Sequence, residues 1–465
     1  MPPAGPVSTV TAPAGRITGF EERGARVFLG IPYGQAPVGE LRFRPPEPVG
    51  PGEIDATRPG AAPLQVIRPR PDWAGQGREE PMGEDCLNLD LYAPPEGRDP
   101  APVIVHAYGG GFQGGSAGSG AIDGAAFAAR TGCLLIRPNM RTGALGFLHL
   151  AEHFPELSAT NRGMLDLALA LDWARENVAA FGGDPGRITL VGMSSGSFTA
   201  TALFGAPEPP PVHAGWLMSG PASRIVLPET GAAIAEGFLE RAGVRPGDLA
   251  ALQALPVETI LQAQESGLAS DLGERNAPGG RTLGIVLDGV TLTRHPMEAL
   301  TAGAGQGAGL VFGSTAEEAR MWYAFGIMGE TDAAKLRQTI ARFAPDRVEA
   351  ELAALEAAQP GASPAAHEEA FLTERIYAGP ARASAEAQRQ GGGAGASYTF
   401  GWAPSGELAK LGASHGFDEP FVFGSAAPYM AGSPDALSLA AEMEGALVAL
   451  AETGQPGWQG HRRFG

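Results

Sequence analysis

Lysine is almost missing from this chain: only Lys335 and Lys410 occur, so arginine carries the positive charge. The formal net charge is −18 at pH 7. A basic face able to neutralise phosphates is therefore lacking, which argues against a nucleic-acid partner. Cysteine is scarce too. Cys86 and Cys133 stand in unrelated contexts without metal-ligand spacing, which predicts two free thiols and a reducing, cytoplasmic setting. No uncharged apolar run reaches the length of a membrane span. The stretch Met1–Val10 lacks a basic region followed by an apolar core, so no secretory leader is expected. There is no phosphate loop ending in Gly-Lys-Ser/Thr and no His-Glu-x-x-His, and no metal or cofactor is expected.

What is present is enough apolar material, 44% of 465 residues, to bury a large core. Short β-branched and apolar runs alternate with helical stretches. Strands are expected at Gly15–Gly19, Val27–Tyr33, Leu87–Tyr92, Val103–Tyr108, Cys133–Ile136, Gly309–Phe312 and Ser397–Phe400. Helices are expected near 122–130, over Asn161–Phe181, across most of 228–300, at 331–358 and over Leu437–Glu452. This alternation predicts a largely parallel α/β sheet. No repeat or linker divides the chain, so one domain spanning 1–465 is expected.

The stretch Arg187–Thr199 carries the chemistry. Ile188–Val191 reads as a buried strand, and Phe198, Ala200, Ala202 and Leu203 suit a buried helix. Between them lies Gly192-Met193-Ser194-Ser195-Gly196, a G-x-S-x-G turn that throws a hydroxyl out at the top of a sheet. Spacing selects Ser194: centring on Ser195 would need glycine at Met193 and Ser197.

A serine needs a base, and the base needs a carboxylate to fix its tautomer. On such a fold the chain order is serine, acid, histidine. His415, in Gly412-Ala-Ser-His-Gly416, follows a strand and lies downstream of everything else required. His106, His149, His153, His213, His295 and His367 fail by order, by position or for want of a glycine-rich loop, and His461 lies in a basic tail. Glu317 and Glu318 both follow the strand at 309–312, and spacing does not choose between them. Tyr108-Gly109-Gly110-Gly111-Phe112 supplies a loop of backbone amides for an oxyanion, completed by the N–H of Ser195. The same stretch matches G-x-G-x-x-G at Gly109, Gly111 and Gly114. It lacks the acidic residue about 20 positions on that a dinucleotide site needs; Ile136-Arg137-Pro138 stands there.

These motifs together resemble the type B carboxylesterases, the cholinesterase-like branch of the α/β-hydrolases. Phe28–Tyr33 and Leu41–Phe43 are similar to the family's N-terminal signature, and Glu84–Leu89 to its second. Asn139–Gly143, Gly146-Phe147, Asn177–Pro185, and His415-Gly416 with Phe421–Gly424 follow the pattern as well. The resemblance implies an α/β-hydrolase fold with helical insertions, about 228–300 and 320–390, forming a cap over the active site. It implies Ser194 as nucleophile, His415 as general base, Glu318 as the acid, and Gly110, Gly111 and Ser195 amides as the oxyanion hole. It also implies a small-molecule ester substrate. The other reading it allows is a non-catalytic or weakly active binding protein.

The chain departs from the family at several points. Met193-Ser194-Ser195 replaces Glu-Ser-Ala, Glu317 the usual Asp, and Ala319 the usual Gly. The cysteine that would pair with Cys86 would fall near Pro63 or Leu64, so that disulfide is not expected. The family's last segment would extend past Gly465. Pocket walls are expected from Phe112, Trp216, Trp322, Tyr323 and 228–300. With no arginine or lysine inside the nucleophile, oxyanion or histidine motifs, and only Arg320 near the acid loop, neutral esters of small to medium size are expected.

Overall fold

A run such as Val103-Ile104-Val105, apolar without interruption, can be satisfied only inside a sheet covered on both faces. The computed structural model describes residues 5–68, 71–74, 77–97, 100–425 and 427–465. Its strands in chain order are β1 Val7–Ala12, β2 Gly15–Glu22, β3 Ala25–Pro32, β4 Gly52–Asp55, β5 Ala62–Pro63, β6 Met82–Gly83 and β7 Asn88–Ala93. They continue as β8 Ala101–Ala107, β9 Leu134–Pro138, β10 Gly183–Met193, β11 Ala214–Met218, β12 Gly309–Thr315, β13 Ala394–Phe400 and β14 Gly460–Phe464. Twelve of these form one sheet in the order β1-β2-β3-β7-β9-β8-β10-β11-β12-β13-β14, with β4 on β2; β5 and β6 pair separately. The β1, β2, β3 and β7 end is antiparallel, and from β9 to β14 every neighbour is parallel.

Alternate residues feed opposite faces. Val103, Val105, Leu190 and Leu217 join one core, while Ile104, Val191, Trp216 and Met218 join the other. Both faces are thus packed, as the unbroken apolar runs require.

The helices follow local chemistry. In α1, Gly124–Thr131, Asp123 caps the start by accepting from the Ala126 N–H, and Gly132 at φ 76° ends it. Helix α2 is Gly143–Phe147, and α3 is Arg162–Asn177. The long helix expected to Phe181 tightens after Asn177 into a 3₁₀ turn, Val178–Phe181, closed by Gly182 at φ 83°. The helix expected over 331–358 is two, Ala333–Phe343 and Val348–Ala358, because Pro345 lacks an N–H and cannot sit in a helix interior.

The segments 228–300 and 320–390 lie in the connections from β11 to β12 and from β12 to β13. The first holds helices Pro228–Ala242, Leu249–Gln253, Val257–Glu265, Leu272–Asn276 and Pro296–Thr301. Cys86 and Cys133 are buried and free, and Pro63 and Leu64 line the same crevice as Cys86. Among the described residues no helix is long and apolar enough to cross a membrane.

Candidate active site

Parallel strands in register bring the ends of β8, β10, β11, β12 and β13 to one edge of the sheet. Gly192 lies beside Ala107 on one side and Leu217 on the other. At that edge β10 turns into helix α4, Ser195–Ala202, through Ser194, whose backbone is at φ 51° and ψ −121°. A non-glycine residue there is strained by about 1–3 kcal/mol and persists only when its surroundings dictate it. They do. The Ser194 N–H donates to the Met218 carbonyl at 2.9 Å, and its carbonyl accepts from the Phe198 N–H at 2.8 Å. The flanking glycines are obligatory: a Cβ on Gly192 would lie 2.6 Å from the Ser197 Cα, and one on Gly196 would lie 2.2 Å from the Ala107 carbonyl oxygen.

The loop after β13 delivers His415, 9% exposed, with Nε2 2.8 Å from Ser194 Oγ. Its Nδ1 stands 2.5 Å from Glu318 Oε2. A carboxylate accepts, so the Nδ1 proton points at Glu318 and Nε2 is left to accept from the serine hydroxyl. Glu318 is fully buried, and its other oxygen accepts from Ser219 Oγ at 2.6 Å and from the Thr315 N–H at 2.8 Å. Those two donors aim the carboxylate. Ser219 had no signal in the sequence: it follows β11, whose end adjoins β12 only after folding.

Glu317 faces away from the histidine ring. Its Oε2 accepts from the Ala413 N–H at 2.8 Å, while its own N–H donates to the Ala413 carbonyl at 3.1 Å. It therefore ties the histidine loop to the acid loop. Trp322 and Tyr377 lie with ring centroids 5.2 and 5.1 Å from that of His415. Tyr377 is placed by a π-helical turn, Thr373–Ala378, a local defect often found where a side chain must be aimed at a site.

The glycine loop after β8 takes positive φ at Gly110, Gly111 and Phe112. It is anchored by Tyr108, whose hydroxyl donates to the Met140 carbonyl at 2.8 Å and accepts from its N–H. Among the described residues the amides of Gly110, Gly111 and Ser195 donate to no protein acceptor. Unpaired N–H groups beside the Ser194 hydroxyl and at the start of a helix suit a developing oxyanion. Met193 fills the gap between this loop and the histidine loop. A Cβ on Gly109 would lie 2.5 Å from its sulfur, and one on Gly416 2.4 Å from its methyl carbon.

Ser194, His415, Gly110 and Gly111 line a cavity of about 770 Å³. Both helical connections contribute to its wall, with Leu268, Leu272 and Arg275 from the first and Trp322, Phe325 and Tyr377 from the second. The expected pocket walls are met only in part. Trp322 lines the cavity, but Trp216 is fully buried in the sheet against Tyr398, and the Tyr323 hydroxyl is drawn to Glu368 at 2.6 Å. Phe112 is buried beneath Arg224, whose guanidinium carbon sits 5.2 Å from its ring centre. Arg224 and Arg275 line the cavity although no sequence motif contains them.

A family model described as the carboxylesterase family matches residues 6–463. A para-nitrobenzyl esterase of Bacillus subtilis is 34% identical over 319 residues, 68% of this chain and 63% of its own length. A fumonisin B1 esterase of Sphingopyxis macrogoltabida is 32% identical over 321 residues, 66% of this chain and 55% of its own length. Both matches thus span less than two thirds of those relatives. A solved carboxylesterase of Geobacillus stearothermophilus aligns with a TM-score of 0.84 at 33% identity, covering 97% of this chain and 91% of that one.

Proposed function

The chain belongs to the carboxylesterase family and has the α/β-hydrolase fold, and on that premise we propose that it hydrolyses carboxylic esters through an acyl-enzyme on Ser194. One observation carries the reading: an unbroken chain of contacts, Ser194 Oγ to His415 Nε2 at 2.8 Å and His415 Nδ1 to Glu318 Oε2 at 2.5 Å, opens on a cavity. A non-catalytic binding protein would have no use for a strained serine held in that line.

Ser194 Oγ attacks the ester carbonyl carbon while His415 Nε2 takes its proton. The carbonyl π-electrons move onto oxygen, where the Gly110, Gly111 and Ser195 amides hold the charge. Glu318 stabilises the imidazolium it faces. On collapse the C–O bond to the alcohol breaks, and His415 returns the proton to the departing oxygen. Water, deprotonated by His415, then repeats the attack and frees the acid and Ser194. A cavity of about 770 Å³ suits small to medium esters. The expectation of neutral esters rested on motifs without arginine or lysine, and Arg224 and Arg275 in the cavity wall remove that ground.

An activated organophosphonate tests the reading, since it mimics the tetrahedral intermediate. It should add once per chain, in step with loss of para-nitrophenyl ester turnover, and peptide mapping should place the adduct on Ser194. Ser194→Ala should lose at least about 10⁴-fold in kcat. An adduct on Ser195 or Ser197, or an active Ser194→Ala, would sink the mechanism.

A further inference from the structure

Three arginines line the cavity and hydrolysis, as derived, uses none of them; Arg68 is paired with Glu265, which leaves Arg224 and Arg275. Arg224 follows β11, and Arg275 lies on the helix Leu272–Asn276. Among the described residues neither forms an ion pair. Arg224 donates to Thr282 Oγ1 at 2.8 Å, and Arg275 reaches the Gly111 carbonyl at 3.5 Å, the outer limit of a hydrogen bond. The Nε of each is shut off from solvent and, among the described residues, has no acceptor. The Arg224 guanidinium lies over the rings of Phe112 and Phe198, at 5.2 and 5.6 Å, which replaces only part of its lost hydration. Burial, and then the neighbouring Arg275, pushes the Arg224 guanidinium down to about 9; burial lowers Arg275 as well. Carboxylates in the cavity wall are engaged elsewhere. Glu265 pairs with Arg68 at 2.8 Å, and Glu419 lies 3.1 Å from His106.

Two like charges held together in a partly buried wall, with no carboxylate paired to either among the described residues, oppose folding. A bound anion would relieve the repulsion through the guanidinium nitrogens that face the cavity. The position relative to Ser194 says which part of an ester would bring it. The departing alcohol oxygen must receive its proton from His415, and the carbonyl oxygen must sit at Gly110 and Gly111. The remaining substituent, the acyl chain, is left to run past Gly111 toward Arg275 and Arg224.

Resting on the esterase reading, we propose that Arg224 and Arg275 form a carboxylate subsite for the acyl portion of the substrate. The preferred substrates are then esters of acids bearing a second, ionised carboxylate, such as half-esters of dicarboxylic acids. A planar fork of donors suits a carboxylate better than it suits any neutral group. This replaces the expectation of neutral esters.

The test compares kcat/KM for the para-nitrophenyl half-ester of glutarate with that for its methyl-capped counterpart, and with 4-carboxyphenyl pentanoate. The free acid should be favoured over the capped ester by on the order of 10–100-fold, and Arg224→Gln or Arg275→Gln should each cut that ratio by about tenfold. Because either variant could fold poorly, unmodified protein is also titrated calorimetrically with glutarate and with glutaramide; glutarate alone should bind. No preference for the acid together with no glutarate binding overturns the subsite while leaving the esterase intact. A preference unchanged in folded variants removes these arginines from it, and a preference for 4-carboxyphenyl pentanoate moves the carboxylate to the alcohol side and defeats the acyl assignment. Glutarate binding without turnover of any ester keeps the subsite and defeats the esterase reading instead.

Discussion

Glu317 and Glu318 are the same residue type at adjacent positions, and what divides their work is the direction each faces after β12. Glu318 points inward to Ser219, Thr315 and His415; Glu317 points to the histidine loop's backbone, 3.7 Å from Arg320. Residue type cannot encode that difference, which is why composition and spacing left both open. Glu318→Gln should cost on the order of 10⁴-fold in kcat, because an amide N–H facing Nδ1 would favour the wrong tautomer. Glu317→Gln should cost far less and act mainly through loop stability; steady-state kinetics of the two variants checks this, and a reversed order exchanges the roles. Asp418, three residues past His415, is the other buried acid nearby. Its Oδ2 accepts from the Tyr398 hydroxyl at 2.6 Å, and among the described residues its Oδ1 has no partner. Burial first, with Glu318 and Glu419 in the same direction, raises it to about 7 against the opposing Tyr398 bond and His415. The folded state therefore holds this proton to higher pH than the unfolded chain, where aspartate titrates near about 4. The associated stability is full below about pH 4 and is lost as pH rises through about 7. In Asp418→Asn, which cannot ionise, the melting temperature relative to wild type should climb by several degrees between pH 5 and pH 8. A difference that stays flat with pH rules the account out.

Elements were legible where a pattern had punctuation. The apolar run Ile188–Val191 followed by G-x-S-x-G announced strand and helix, and β10 to α4 is what forms. The strand begins earlier, at Gly183, because its start pairs with Ala101 across a bulge, a contact between distant segments that no local pattern carries. The break at Pro345 was written in the chain, yet an Ala- and Glu-rich stretch outweighed it in the reading. Ser194 and His415 could be picked out since glycine spacing and chain order constrain them. Trp216 could not be separated from a pocket tryptophan, because burial in a sheet and burial in a cavity select the same side chain. The elbow as a unit makes a further prediction. A methyl group on Gly196 would strike the Ala107 backbone, which cannot swing aside like a side chain end. Gly196→Ala should cost at least about 1–3 kcal/mol of stability. It should also lower kcat, as α4 and the Ser195 amide are pushed away from Ser194. Unaltered melting and turnover would show that the turn relaxes more freely than its contacts allow.

At the scale of the molecule, the sheet was legible from alternating strands and helices, whereas the cavity was not. Its wall is assembled from two long crossovers, and Arg224 and Arg275, 51 positions apart in the sequence, meet only through the path of the first. The same scale sets two opposing fields on a carboxylate ester. The net charge of −18 repels it at a distance, while the two guanidiniums attract it inside the cavity. Salt acts on these unequally. The Debye length falls from about 30 Å at 0.01 M to about 8 Å at 0.15 M, which erases the distant repulsion but barely reaches charges in partly buried contact. Over that range kcat/KM for the glutarate half-ester should therefore rise by on the order of a few-fold, while that for the methyl-capped ester stays level. Stopped-flow or steady-state rates at constant pH across a sodium chloride series decide it. If the half-ester rate falls with salt instead, the arginines already dominate the field outside the cavity mouth, and the acidic surface plays no part in admitting substrate.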